Sequence, residues 1–205
     1  TTSQIAALSV TNLSALDATQ VGALTTTQTK ALTATQLTGL DAADVAEFST
    51  THISNFANTQ LLALTSTNMA ALSETQIAAI SAPGVKALTA TNFAALAETQ
   101  LGALTTTQVS SLTNTQLQAL NSTKFASFTA TQLGALTTSQ VSGISTTNLS
   151  ALDATQFDAF RTTQLQTLST TQLNGLSTTD ISELTTTQIG LLTTAQVRGL
   201  STTNI

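Results

Sequence analysis

The sequence contains no cysteine, tryptophan or tyrosine, and only one proline and one methionine among its 205 residues. The lack of cysteine excludes disulfide bonds and thiolate metal sites. Charged residues make up only 7% of the chain, against about 25% in an ordinary soluble protein. The five basic residues lie far apart, whereas a protein that neutralises phosphates needs them clustered. We therefore expect no nucleic-acid binding.

Long apolar runs are also missing. The runs are short, such as Leu61-Leu62-Ala63-Leu64, far below the roughly 18 residues that a membrane helix needs, so we expect no membrane span. Hydrophobic residues nevertheless make up 41% of the chain, which is an ordinary globular share and excludes a disordered polar tract. The chain must therefore bury apolar side chains in some regular way.

An eight-residue repeat runs through the whole sequence. Leu8, Leu16 and Leu24 begin a series that continues to Leu200, and every member of it is Leu, Ile or Phe. With this residue as position a, position b is Ser, Thr, Asp or Asn at 22 of 25 sites, d is Thr at 21 of 26, and e is Gln at 16 of 26. Position f is apolar except at Thr29, and h is Ala, Gly or Ser at 20 of 25 sites. No insertion interrupts the pattern, so we predict one continuous array of about 25 repeats over residues 1–205.

The octad predicts a very short helix that begins at b. A continuous helix is excluded, because eight residues at about 100° each rotate the apolar stripe by about 80° per repeat. Ser or Thr at b with Gln three residues later forms a capping box, and the apolar residues at a and f form a hydrophobic staple. We therefore predict an all-α solenoid with one capped helix per octad, running from c to the next a.

A β-solenoid with a Thr-lined face is the alternative fold, because Thr and Val favour strands. Its tight corners would need Gly or Asn with positive φ, but the nine glycines are scattered over several repeat positions, which favours the helical solenoid. Neither the capping box nor the hydrophobic staple requires the Thr at position d. It either bonds a carbonyl of the preceding helix or forms a ladder between coils, and the sequence does not choose.

Two resemblances to known proteins follow from these patterns. The octad from Leu104 to Leu112, with Thr-Thr-Thr-Gln-Val after the leucine, resembles the opening of helices in α-solenoids, including the first helix of DNA-reading effector repeats. No base-reading loop accompanies it here. The whole array, rich in Thr, Ser, Gln and Ala and almost without charge, resembles the repetitive stretches of large bacterial surface and secreted proteins, such as adhesin stalks and extracellular fibres. That resemblance implies an extracellular setting.

Residues with chemical potential are isolated. His52 is the only histidine and occupies position e, where Gln usually stands. Asp17, Asp41, Asp44 and Asp153 fall at b and e, where a carboxylate favours a helix N-terminus. No base stands beside a nucleophile and no phosphate-binding loop is present. We expect no catalytic, cofactor-binding or metal-binding residues, no cofactor and no enzymatic activity.

The sequence therefore predicts a structural role. The leading hypothesis is an extracellular or cell-surface repeat protein that forms an elongated rod or a self-assembling filament, with copies of itself as its partner. The alternative is an adhesin-type protein whose periodic surface binds a glycan, a mineral or ice. Within the array, we expect the weakest octads at Thr29, which lacks the apolar f residue, and over residues 82–85, which include Pro83 and Gly84 and lack the capping Gln.

Overall fold

Short α-helices, one per octad, make up this protein. The structure is a computed structural model, and it describes residues 1–201, apart from the side chain of Glu183. Those residues form 25 helices and no strand. The prediction of an all-α solenoid is therefore confirmed, and the β-solenoid is wrong.

The chain divides into two compact units, Thr1–Leu104 and Thr105–Ile205. The helices of the first unit are α1 (Thr2–Ala6), α2 (Val10–Ser14), α3 (Ala18–Gly22), α4 (Thr26–Lys30), α5 (Ala34–Gly39), α6 (Ala42–Ala46), α7 (Thr50–Ser54), α8 (Asn58–Ala63), α9 (Ser66–Ala71), α10 (Glu74–Ala79), α11 (Ala82–Ala87), α12 (Ala90–Ala94) and α13 (Glu98–Gly102). Those of the second are α14 (Thr106–Ser111), α15 (Asn114–Gln118), α16 (Ser122–Phe125), α17 (Ala130–Ala135), α18 (Thr138–Ser142), α19 (Thr146–Leu149), α20 (Ala154–Asp158), α21 (Thr162–Leu165), α22 (Thr170–Asn174), α23 (Thr178–Glu183), α24 (Thr186–Leu191) and α25 (Thr194–Gly199).

The start of most helices is fixed by the predicted capping box. In α5, the amide of Gln36 donates to Thr33 Oγ1 at 3.2 Å, and the Thr33 amide donates to Gln36 Oε1 at 2.8 Å. Both bonds use amides that a helix cannot satisfy within itself. The same pair of bonds recurs in most octads of both units, so the local part of the sequence prediction is confirmed.

The helices end earlier than predicted, because position a is not helical. Leu40 has φ −71° and ψ 147°, and Asp41 after it is also extended. Two consecutive extended residues thus make each corner, and no residue in the described chain has a positive φ. The corner therefore needs no glycine, which explains why the glycines of this sequence do not follow the repeat.

Within each unit, helices stack on the third helix along the chain and not on the next one. Contacts join α2 to α5, α5 to α8 and α8 to α11 in the first unit, and α14 to α17, α17 to α20 and α20 to α23 in the second. Three octads therefore form one coil. Most residues at a and f fill its interior, including all seven phenylalanines. Phe125 packs edge-on against Phe128 with ring centres 5.6 Å apart.

Burial also shows how the two expected weak octads are built. Thr29 is fully buried at position f, and its hydroxyl donates to the carbonyl of Thr26 at 3.1 Å. Ser81 still caps its helix through the amide of Gly84, and Leu61 lies where a Gln side chain would begin. That these octads are the least stable remains a prediction. None of the described helices combines the length and the hydropathy needed to cross a bilayer.

Candidate functional site

The Gln side chain at position e joins each coil to the coil before it. Gln36 is buried, and its Nε2 donates to the carbonyls of Ile5 and Leu8 at 2.8 and 2.9 Å. Its Oε1 already accepts the amide of Thr33 at the corner of its own helix. One amide group therefore links the start of α5 to the end of α1, which a capping box alone does not predict.

This glutamine ladder continues through both units. The acceptors lie 28 and 31 residues before the glutamine, as for Gln60, Gln140, Gln172 and Gln196. Asparagine at the same position bonds only the carbonyl 28 residues earlier, as for Asn68, Asn92 and Asn148. Asparagine is one methylene shorter, so it does not reach the second acceptor.

His52 takes part in the same ladder. Its Nε2 lies 2.8 Å from the carbonyl of Leu24, 28 residues earlier, and its Nδ1 accepts the amide of Ser49 at 3.4 Å. The ring offers one donor and one acceptor in place of the Gln amide, which requires the tautomer protonated on Nε2. The single histidine is buried and has both nitrogens engaged with backbone, so its geometry matches the capping role that its position predicts.

The aspartates also sit where the sequence places them. Asp17, Asp41 and Asp153 each accept the amide three residues later, at 2.8 to 2.9 Å. Among the residues that the structure describes, no group of three or more His, Cys, Asp or Glu side chains is placed to hold a metal ion.

Two octads replace the ladder amide by a carboxylate, and both carry the same compensation. Asp44 and Asp180 cannot donate to a carbonyl. In each case a serine 30 residues earlier donates to the carboxylate instead: Ser14 to Asp44 at 2.7 Å and Ser150 to Asp180 at 2.8 Å. The two serines lie in identical nonapeptides, residues 12–20 and 148–156. The sequence therefore records which octads stack on each other.

This pairing predicts a large coupling between the serine of one coil and the aspartate of the next. Asp180 is 7% exposed, and hydrogen bonds to charged groups contribute about 1.5–3 kcal/mol, so Ser150→Ala should destabilise the second unit by about that amount. In a chain that carries Asp180→Gln, the new amide can donate to the preceding coil as other glutamines do, and Ser150→Ala should be almost neutral. Urea unfolding of the four chains measures the coupling. Equal effects of Ser150→Ala in both backgrounds would contradict it.

Position h is small because it faces a side chain of the preceding coil. A Cβ added to Gly39 would come within 2.7 Å of Val10 Cγ1, and one added to Gly143 within 2.7 Å of Asn114 Nδ2. In both cases the partner stands at position c of the octad that lies one coil earlier. The small residues at h therefore make room for this side chain.

Threonine at position d lies outside this network. At every octad that the structure describes, the residue at d is exposed. The side-chain hydrogen bonds between coils come mainly from e and from g, as in Thr38 Oγ1 to the carbonyl of Ala63 at 2.9 Å. The ladder between coils is thus carried by glutamine, and the threonines form rows on the surface, one residue per coil on each face.

Comparison of the octads with one another shows that the threonine rows are unusual. Position g is also mostly exposed, and it accepts ten different residue types along the chain, whereas d accepts four and is Thr at 21 of 26 sites. Ser and Thr alternate freely at b, where only the hydroxyl is used, but Thr outnumbers Ser by 21 to 2 at d. An exposed position that stays constant among repeats while its neighbours vary is a candidate contact surface.

Comparison with known proteins supports the repeat nature of the chain. Residues 159–194 match the family of the ALTTAQ repeat. No curated protein matches the chain. The family match covers four to five octads of the second unit, and the structure shows the same octad, capped and stacked in the same way, in both units. The chain is a repeat protein built as a helical solenoid.

Proposed function

We propose that this chain is a non-enzymatic structural element of an extracellular or cell-surface assembly, and that copies of it associate into filaments or stacked rods. The glutamine ladder is the observation that carries the proposal. Gln36, Gln60 and Gln140 are buried side chains that could bind a ligand, and each has its amide committed to the backbone of two coils.

The ladder also makes the array extendable. Every acceptor of the glutamine ladder is a backbone carbonyl at position a or f, or next to them, so an octad with Gln at e can stack on any other octad. Stability then becomes a sum of terms between neighbouring coils. Such an array can lengthen by duplication without new interactions, which suits a spacer or a fibre. The near absence of charge and the abundance of Thr, Ser and Gln support the extracellular setting.

Association should be visible in solution. We expect the weight-average mass from multi-angle light scattering to rise above 21.0 kDa as concentration increases, and electron micrographs of concentrated samples to show filaments or bundles. A matched chain with lysine at several exposed g positions, spread over all faces, should remain smaller because like charges repel. A mass that stays at the monomer value at every concentration would refute self-assembly.

The threonine rows favour a second candidate, a periodic binding surface of an adhesin-type protein. A glycan, a mineral or ice would meet a row of methyl and hydroxyl groups repeated once per coil. All seven phenylalanines are buried and the chain has no Tyr or Trp, so the surface offers no aromatic ring for stacking on a sugar. The sparse charge gives a mineral little to bind. Self-association therefore stays the leading proposal.

A further inference from the structure

One face of the first unit combines a row of threonines, separated charges and a groove. The face is formed by α4, α7, α10 and α13, which stack in that order after α1. We define the α4–α13 face as the exposed side chains of these four helices. At position d it carries four threonines in a row, namely Thr27, Thr51, Thr75 and Thr99. Ser3 of α1 precedes them, and the rows of the two other faces contain Ala43 and Pro83.

The charges on this face are separated along the stack. Lys30 is exposed on α4, at one end of the face, and Glu74 and Glu98 are exposed on α10 and α13, at the other end. Since charges in an interface set the orientation of the partners more than their affinity, this arrangement distinguishes two ways of pairing the face. Parallel copies would place like charges opposite each other, and antiparallel copies would place Lys30 opposite the two glutamates.

A groove marks the acidic end. It lies between the beginnings of α10 and α13, has a volume of about 430 Å³, and is lined by Glu74, Thr75, Ala97 and Thr99 among others. Ala97 stands at position b, where nearly all other octads have a longer polar side chain. The truncated side chain leaves room beside Glu74 for a group from outside, and a lysine side chain is long enough to enter it.

We propose that two copies of this chain pair in antiparallel orientation through their α4–α13 faces, with Lys30 of each copy beside the groove and Glu98 of the other. A two-fold axis makes the contact self-complementary, so the same pairs form twice. The threonine rows meet at the centre, and a second copy is the one partner whose coil spacing equals that of the row by construction. The inference rests on the proposed structural function and assigns it a surface and a partner.

The size of the face sets the strength of the contact. Four stacked helices spaced about 9 Å apart, each in an octad that spans about 15 Å along the face, present roughly 500 Å² per copy. This area is below the roughly 800 Å² per partner of a stable complex. Pairing through one unit should therefore be weak, dependent on concentration and sensitive to salt.

Charge exchange tests the pairing by sedimentation equilibrium of the full chain at low ionic strength. Lys30→Glu should weaken dimerisation about tenfold, as should Glu74→Lys with Glu98→Lys, and the chain with all three changes should recover it. Lys86→Glu is the matched control, because Lys86 is exposed at the same repeat position on another face. If Lys30→Glu and Lys86→Glu have equal effects while the parent chain still associates, the α4–α13 pairing is wrong and the proposed function stands.

The absence of cysteine allows a second measurement of the orientation. Mixing chains with Lys30→Cys and Glu98→Cys under mild oxidation should give a disulfide-linked heterodimer in excess of either homodimer. Lys86→Cys mixed with Glu98→Cys should give no such excess. A preference for the Lys30→Cys homodimer would overturn the antiparallel arrangement. A parent chain that stays monomeric but depresses ice growth or is retained by a polysaccharide would overturn the pairing in favour of another occupant.

Discussion

The first unit should unfold at a much lower temperature in a chain that lacks residues 66–68 than in a chain that lacks the whole coil of residues 65–88. The short deletion removes positions c, d and e of α9. It takes away the Asn68 side chain that bonds the carbonyl of Leu40 at 3.1 Å, and it moves Met69, which is fully buried, out of the core. Removing a buried side chain of that size costs about 2–5 kcal/mol, and every later helix is shifted by almost one turn.

The whole-coil deletion removes α9, α10 and α11 together. The remaining octads keep the spacing of three octads at which helices stack. Asn92, which bonds the carbonyl of Leu64 in the intact chain, then lies 28 residues after Leu40, an acceptor of the same type. Ser14 and Asp44 lie before the deletion and keep their hydrogen bond. We expect one cooperative transition close to that of the parent chain, since the unit loses one coil but no interface type.

Thermal unfolding followed by circular dichroism at the helical minimum compares the two deletions directly. Deleting a single octad is an informative intermediate, because it keeps the caps but moves all later helices to a different face. It should be tolerated better than the short deletion and worse than the whole-coil deletion. Identical losses from the short and the whole-coil deletions would show that stacking at an interval of three octads does not determine stability.

The sequence could predict the helix because its determinants are local. Capping joins Thr33 to Gln36, three residues apart, and the octad repeats this relation in almost every helix. The end of the helix was placed too late, at position a, because an apolar residue continues the helical pattern and only its extended backbone shows that it is a corner.

The coil could not be predicted in the same way, because octads that are nearly identical give no indication of which ones stack. Contacts between Gln36 and Leu8, or between Gly39 and Val10, join positions that look the same in every repeat. Only octads that depart from the consensus reveal how many octads separate two stacked helices. The two serine–aspartate pairs are such an exception, and their spacing could have shown that a coil contains three octads.

The capping box predicts the role of the glutamine side-chain oxygen but not that of the nitrogen. Oxygen accepts the amide at b, as the capping box predicts, but the nitrogen donates to a coil 28 to 31 residues away. Both interpretations that the sequence offers for the threonine at position d assume a partner within the chain. Its exposure in every described octad directs attention to partners outside the chain, which no pattern within one octad could indicate.

Substituting Gln140 should reveal how much of the stability comes from the ladder. Its Nε2 donates to the carbonyls of Val109 and Leu112 at 2.9 and 2.7 Å, its Oε1 accepts the amide of Thr137 at 2.7 Å, and the residue is 3% exposed. Gln140→Ala removes this partner from three backbone groups, of which the Val109 carbonyl still accepts the amide of Leu112 at 3.2 Å. Since each of the two groups left unsatisfied costs about 1–3 kcal/mol, the second unit should lose about 2 kcal/mol or more.

A graded series separates the ladder from the cap. Gln140→Asn should lose roughly half as much as Gln140→Ala, because Asn68, Asn92 and Asn148 each reach one of the two carbonyls. Gln140→Glu should be at least as damaging as Gln140→Ala, because a carboxylate would face two carbonyl oxygens with no proton to donate.

The matched control is Gln20→Ala, since Gln20 forms the same capping box with Asp17 but is exposed. It should lose only the contribution of a cap, about 1 kcal/mol or less. Urea unfolding of each chain, with the midpoint and the slope fitted together, measures these differences. If Gln140→Ala and Gln20→Ala lower the free energy of unfolding equally, the glutamines act as caps alone, and the coils are held together by the apolar residues at a and f.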